Sequence, residues 1–126
     1  EHLAQARASL AAGQLDSALA SALAARNAEG DRTEARLLVA RVLRRLGRNS
    51  EALEELRRTM QADPITPEVH RDLAFAAARE GDLETAFAGW DHYRRSTPDA
   101  ADIAQVDEAE QALRRFHQIT EAMLRG

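Results

Sequence analysis

Gly81-Asp82-Leu83-Glu84-Thr85-Ala86-Phe87-Ala88-Gly89-Trp90 decides the fold, because this stretch slides back along the chain by thirty-four residues, twice, and still fits. Gly81 lands on Gly47 and then on Gly13; Ala86 lands on Ala52 and Ala18; Trp90 lands on Leu56 and Ala22. Pro98, moved back once, lands on Pro64. Glycine between two helical patterns and proline after the second, at a fixed period of this length, is the signature of a helix-turn-helix repeat. The sequence therefore predicts a stack of helix pairs, with an ordinary helical bundle as the rival.

These residues resemble the tetratricopeptide repeat family, whose second helix carries Ala-x-x-x-Phe and then Pro. That half of the pattern is kept as Ala52-x-x-x-Leu56 to Pro64 and as Ala86-x-x-x-Trp90 to Pro98. In the first half, where the family has Trp, Leu, Gly and Tyr, the chain has Arg36, Val39, Ala40 and Leu43, then His70, Leu73, Ala74 and Ala77. The resemblance covers residues 1–100. It implies an all-α, right-handed solenoid of three repeats, over about 1–32, 33–66 and 67–100, closed by a long C-terminal helix over about 100–125. A protein-binding module follows from it.

Composition agrees with an all-α chain and narrows the functions. At 126 residues and 44% apolar content one domain with a thin core is expected, and alanine supplies much of the apolar share. Aromatic content is 4% and the β-branched residues do not alternate, so nothing reads as a strand. The formal charge of -4 argues against nucleic acid or an anionic membrane as partner. All seventeen basic residues are arginine, which fits a GC-rich, bacterial coding sequence or, as the other reading, planar bidentate contacts. Without cysteine there is no disulfide or thiolate site, and no run is apolar over the roughly twenty residues that span a bilayer. A soluble cytoplasmic or periplasmic protein is compatible with this. The chain opens at Glu1, already inside a helical pattern, and so reads as a piece of a larger protein.

Along the chain, the first helix is expected over His2–Ala12, with Gly13 as its left-handed C-cap. Asp16 or Ser17 opens the second, which ends near Gly30; Asp31 and Thr33 open the third, which Gly47 closes. Asn49 or Ser50 caps the fourth. Thr66-Pro67-Glu68 starts the fifth with a capping hydroxyl, a first-turn proline and an acid. The sixth spans Leu83 to Ser96 and carries Ala86, Phe87, Trp90 and Tyr93 as core. Adding thirty-four to Gly81 gives Arg115, so the last segment runs on as one helix of about 40 Å, opened by Asp99 and Asp102. Its far stripe, Phe116, Ile119, Met123 and Leu124, has nothing left in the chain to cover. That stripe is the candidate contact for a homo-oligomer.

The first helix of each pair carries the informative surface. At about 100° per residue, Glu34, Leu37, Arg44, Arg45 and Arg48 cluster within about 60° of Arg41, opposite Val39, Val42 and Leu43. The matching face of the next pair is Glu68, Arg71, Asp72, Phe75, Ala78 and Arg79. In the tetratricopeptide family the first helices line the concave groove, so the resemblance implies that Arg7, Arg41, Arg44, Arg45, Arg71 and Arg79 face a partner, with Leu37 and Phe75 as an apolar floor. Arginine forks grip carboxylates, so the expected ligand is an acidic or amphipathic peptide segment or a terminal carboxylate. The acidic opening of the last helix also complements these arginines. Self-recognition, within one molecule or between two, is the alternative.

Enzyme signals are absent. The four histidines have no metal-ligand spacing, no glycine-rich phosphate loop or nucleophile elbow occurs, and neither a cofactor nor a metal is expected. The acid pairs Glu54-Glu55 and Glu108-Glu110 read as solvated helix faces.

Overall fold

A computed structural model of the chain describes residues 2–28 and 32–125. It contains α1 (His2–Ala11), α2 (Leu15–Ala28), α3 (Thr33–Arg45), α4 (Asn49–Ala62), α5 (Pro67–Arg79), α6 (Leu83–Ser96) and α7 (Ile103–Arg125), with no strand among the described residues. Each helix packs on its neighbours in sequence, and α1 touches α3 as α3 touches α5. The first helices thus form one layer of a stack of three pairs.

The thirty-four-residue period is physical. Gly13, Gly47 and Gly81 have φ of 76°, 80° and 81°, the left-handed region that glycine enters without a Cβ penalty. At each, the glycine N–H and the next residue's N–H bond back into the helix end: Gly13 to Leu10 O (3.0 Å) and Gln14 to Ser9 O (2.9 Å), for example. This pattern satisfies two orphan carbonyls and reverses the chain. Five residues on, Ala18, Ala52 and Ala86 are wholly buried, as are Ala6 and Ala74. Methyl-sized side chains there let the two helices of each pair approach.

Two core clusters result. Leu3, Ala6, Leu10, Ala18, Ala22, Ala25 and inner residues of α3 make the first. Leu53, Leu56, Val69, Leu73, Trp90, Tyr93 and Val106 belong to the second. Gly89 lets α6 sit close on α5, because a Cβ there would lie 2.7 Å from His70 O and 2.9 Å from Ala74 Cβ.

Several helix starts differ from expectation. Gly30 and Asp31 lie outside the described residues, and Asp16 sits inside α2. Asn49 and Ser50 are inside α4, whose N-cap is Arg48; the Arg48 side chain holds Glu51 at 2.6 Å and Ser50 reaches Glu80 at 3.1 Å. Thr66 is the N-cap of α5, but its side chain accepts from no helix amide and its hydroxyl donates to Asp63 Oδ2 (2.5 Å). Asp82 does cap α6, accepting from Thr85 N at 3.2 Å. The last helix begins at Ile103, so it is nearer about 35 Å long. Asp99 and Asp102 precede it, and among its described residues only Val106 is buried. No helix of the described residues is long and apolar enough to cross a membrane.

Candidate functional site

The layer of α1, α3 and α5 carries two adjacent hollows. The first, about 430 Å³, is lined by Arg7, Glu34, Leu37, Arg41, Glu68 and Arg71, among others. The second, about 410 Å³, is lined by Arg44, Phe75, Ala78, Arg79 and Trp90, and by Ala109, Ala112, Leu113 and Phe116 of α7. Helical spacing explains the division, since Leu37, Arg41 and Arg44 advance along one side of α3 while Arg71, Phe75 and Arg79 advance along α5. The eight residues singled out from sequence divide between these hollows, Arg45 excepted. Arg7, Leu37, Arg41 and Arg71 share the first hollow; Arg44, Phe75 and Arg79 share the second. Arg45 borders neither and donates to Leu10 O at 3.4 Å, tying α3 to the end of α1.

The arginines of the first hollow have acidic partners. Arg7 pairs with Glu34, whose carboxyl is held below its ordinary value by that hydrogen bond and charge. Arg41 lies 3.7 Å from Asp72. Arg71, with its side chain 18% exposed, binds Asp72 (2.8 Å) and Asp102 (3.1 Å), and its guanidinium stacks 5.4 Å from the Tyr93 ring centre. Burial opposes the charge on Arg71, but the hydrogen bond and attraction of Asp72 and the bond to Tyr93 outweigh it and raise its pKa. Tyr93 in turn donates to Asp102 at 2.6 Å. Asp102, just before α7, therefore pairs with an arginine of the first hollow within one molecule. Arg94 extends the clasp to Asp107 (2.6 Å) and Glu110.

The second hollow is different. Neither Arg44 nor Arg79 forms an ion pair among the described residues, and no acid lines the hollow. Arg44 sits 5.9 Å over the Phe75 ring, which meets Trp90 edge-on at 5.3 Å. Burial pushes the Arg44 pKa down; Asp72 offsets part of this, and Arg79, Arg41 and Arg71 add to it. Leu37, expected as open floor, is 8% exposed and works mainly as core.

Phe116, Ile119, Met123 and Leu124 are 68%, 57%, 77% and 83% exposed, and of the four only Phe116 edges the second hollow. Sequence reasoning did not place α7 along the second hollow, for which no spacing signal exists. It also misplaced two acids. Glu55 is buried and held by Arg26 at 2.8 Å, and Glu110 is largely covered between Arg94 and Arg114. His70 and His92, twenty-two positions apart, stack at 3.7 Å; the described residues hold no cluster fit for a metal ion.

No family model matches the chain, and no curated protein matches it. Among solved structures it is similar to PcrH from Pseudomonas aeruginosa, with a TM-score of 0.78 and 19% identity over 89% of this chain and 88% of that one. It is similar also to PcrH in complex with the chaperone-binding region of PopB, at a TM-score of 0.74 and 19% identity over 89% and 90% of the two chains. At that identity the likeness establishes architecture, and the chain has the all-α, tetratricopeptide-like fold of stacked helix pairs.

Proposed function

We propose that the chain is a protein-binding module, without catalytic activity of its own, that captures an acidic or amphipathic segment of a partner on the face formed by α1, α3 and α5. The observation that carries this is the pair of hollows on one helix layer, one of them holding two arginines without acids. PcrH, which shares the fold, is known in complex with a region of another protein, and this supports a protein partner here. Binding by such a face uses apolar anchors set into gaps between helices and charged forks that fix orientation. Selection of a random 16-residue peptide library on the intact protein tests it. Asp, Glu and large apolar residues should be enriched, and the combined Arg41→Glu and Arg79→Glu variant should lose the selected peptides. Peptides without acidic enrichment, or binding that survives both reversals, would remove the proposal.

The bare stripe of Phe116, Ile119, Met123 and Leu124 favours a second reading, in which the chain is an assembly element. Light scattering at low and high salt separates the two. A salt-resistant dimer that disappears on deleting residues after Arg114 supports assembly through the stripe, whereas a monomer at every concentration and salt excludes it.

A further inference from the structure

The two hollows differ in a way that singles out one of them. In the first, Arg7, Arg41 and Arg71 already face Glu34, Asp72 and Asp102. In the second, the charged lining is Arg44 and Arg79 alone. Two buried donors belong to the same lining: Arg44 Nε and Trp90 Nε1, neither of which has a hydrogen-bond partner. Trp90 is 1% exposed, so water does not reach its indole N–H freely. Buried donors left unpaired are rare and unfavourable, and a half-buried guanidinium whose attraction to Asp72 does not offset the burial of its charge adds to that strain. A negatively charged acceptor at the mouth of the hollow would pair with Arg79 and ease the charge on Arg44 through space.

The remaining walls state what else the occupant carries. Phe75, Ala78, Leu113 and Phe116 are apolar. A neighbouring depression of about 350 Å³ shares Ala78, Arg79, Leu113 and Phe116, and continues past Leu83 and Thr120 along α7. Together they form an open trough between the end of α5 and α7. Beyond it the helix still presents Ile119, Met123 and Leu124 to solvent. An open trough of this kind suits a side-chain-bearing segment better than an enclosed small molecule.

We infer that the hollow of Arg44, Arg79 and Phe116 is the anchor point of the groove, taking a carboxylate carried on an amphipathic segment of a partner protein, with the bare half of α7 as the outer wall. The inference rests on the protein-binding reading and sharpens it: the first hollow orients, and the second recognises. Arg79 supplies the reachable fork at the rim, and Arg44, braced on Phe75, supplies the desolvated charge behind it.

The test uses a synthetic peptide of the selected sequence and its twin with every Glu and Asp replaced by Gln and Asn. Trp90 is the single tryptophan, so its fluorescence reports on this hollow directly. The acidic peptide should shift that fluorescence and bind at least about tenfold more tightly than its twin. Arg79→Glu should cost a similar factor, and more than Arg41→Glu, which removes an orienting charge in the other hollow. Phe116→Ser, at a solvent-exposed position, should weaken binding with no change in thermal midpoint. Equal affinity of the twin, equal loss in Arg41→Glu and Arg79→Glu, or no effect of Phe116→Ser would overturn the inference and leave the protein-binding reading standing. A selection that returns no binder removes both. A peptide-free dimer that Arg79→Glu dissociates would assign the hollow to a second copy and overturn the inference as well.

Discussion

Gly89→Ala sets two known effects against each other, and the structure determines which prevails. Position 89 lies in the interior of α6, where alanine is favoured over glycine by about 1 kcal/mol. Considered as a helix alone, α6 should gain. The added Cβ, however, would sit 2.7 Å from His70 O and 2.9 Å from Ala74 Cβ, both in α5. Comfortable contact needs about 3.5 Å, so the helices must part by roughly 0.5–1 Å along a tight seam. The obstacle is a helix carbonyl, which cannot swing away as the tip of a long side chain does. Overpacking of this kind costs about 1–3 kcal/mol, leaving a net loss near 1 kcal/mol and a midpoint lower by about 3–5 °C. Thermal and urea unfolding followed by far-ultraviolet circular dichroism measure it, with an unchanged urea slope confirming that the folded state has shifted in stability alone. Gly47→Ala is the companion: no atom lies within 4 Å of its Cβ, so its loss of about 1–2 kcal/mol would be backbone strain at φ 80°. A raised midpoint for Gly89→Ala would refute the close approach of α5 and α6.

Other outcomes follow from the ion pairs. Arg26→Met leaves Glu55 buried without its partner; because Arg26 is itself 28% exposed, the loss should be nearer about 2 kcal/mol than the 3–5 of a fully buried pair. Adding Glu55→Leu should recover most of it in chemical denaturation, and a double variant no more stable than Arg26→Met would contradict the pairing. Asp63 accepts hydrogen bonds from the Thr33 and Thr66 hydroxyls and from the Thr66 and Ile65 amides, which together hold its carboxyl well below the usual range. A lowered folded-state pKa gives stability that is complete above about pH 4 and is lost as pH falls through the folded value. Asp63→Asn should therefore lose less stability between about pH 4 and 2 than the parent chain; parallel acid curves would rule this out.

What the sequence revealed was what repeats. Gly13, Gly47 and Gly81 recur because each turn demands a left-handed residue, and Ala18, Ala52 and Ala86 recur because each pair demands a close contact. These requirements are local to one repeat, so spacing exposes them. Gly89 and Glu55 occupy the same register position, thirty-four apart, yet one admits a neighbouring backbone and the other binds Arg26 from the preceding pair. Their roles depend on which helix lies opposite, information absent from a single period. The arginine face was legible as a face, but its division was not. Asp72 and Asp102 claim Arg41 and Arg71 from outside the helical wheel on which those arginines were found. The same holds for α7, whose place beside Arg44 and Phe75 follows from the Arg94 clasp across the turn preceding it and from Arg71 of α5, which holds Asp102 within that turn.

The two core clusters have a consequence for the lifetime of the groove. The first pair of helices contributes only two buried side chains larger than alanine, Leu3 and Leu10, whereas the last pair is centred on Trp90 and Tyr93. In a stack where each pair touches only its neighbours, apolar area per pair governs how readily it detaches. Transient opening should therefore start at α1 and α2, and amide hydrogens there should exchange sooner than those of α5 and α6. Each such event takes Arg7 away from the first hollow while Arg44, Phe75 and Arg79 keep their positions. If the face binds a partner as proposed, one end of it opens while the other stays fixed, so a long segment would be held at one end while the other lets go.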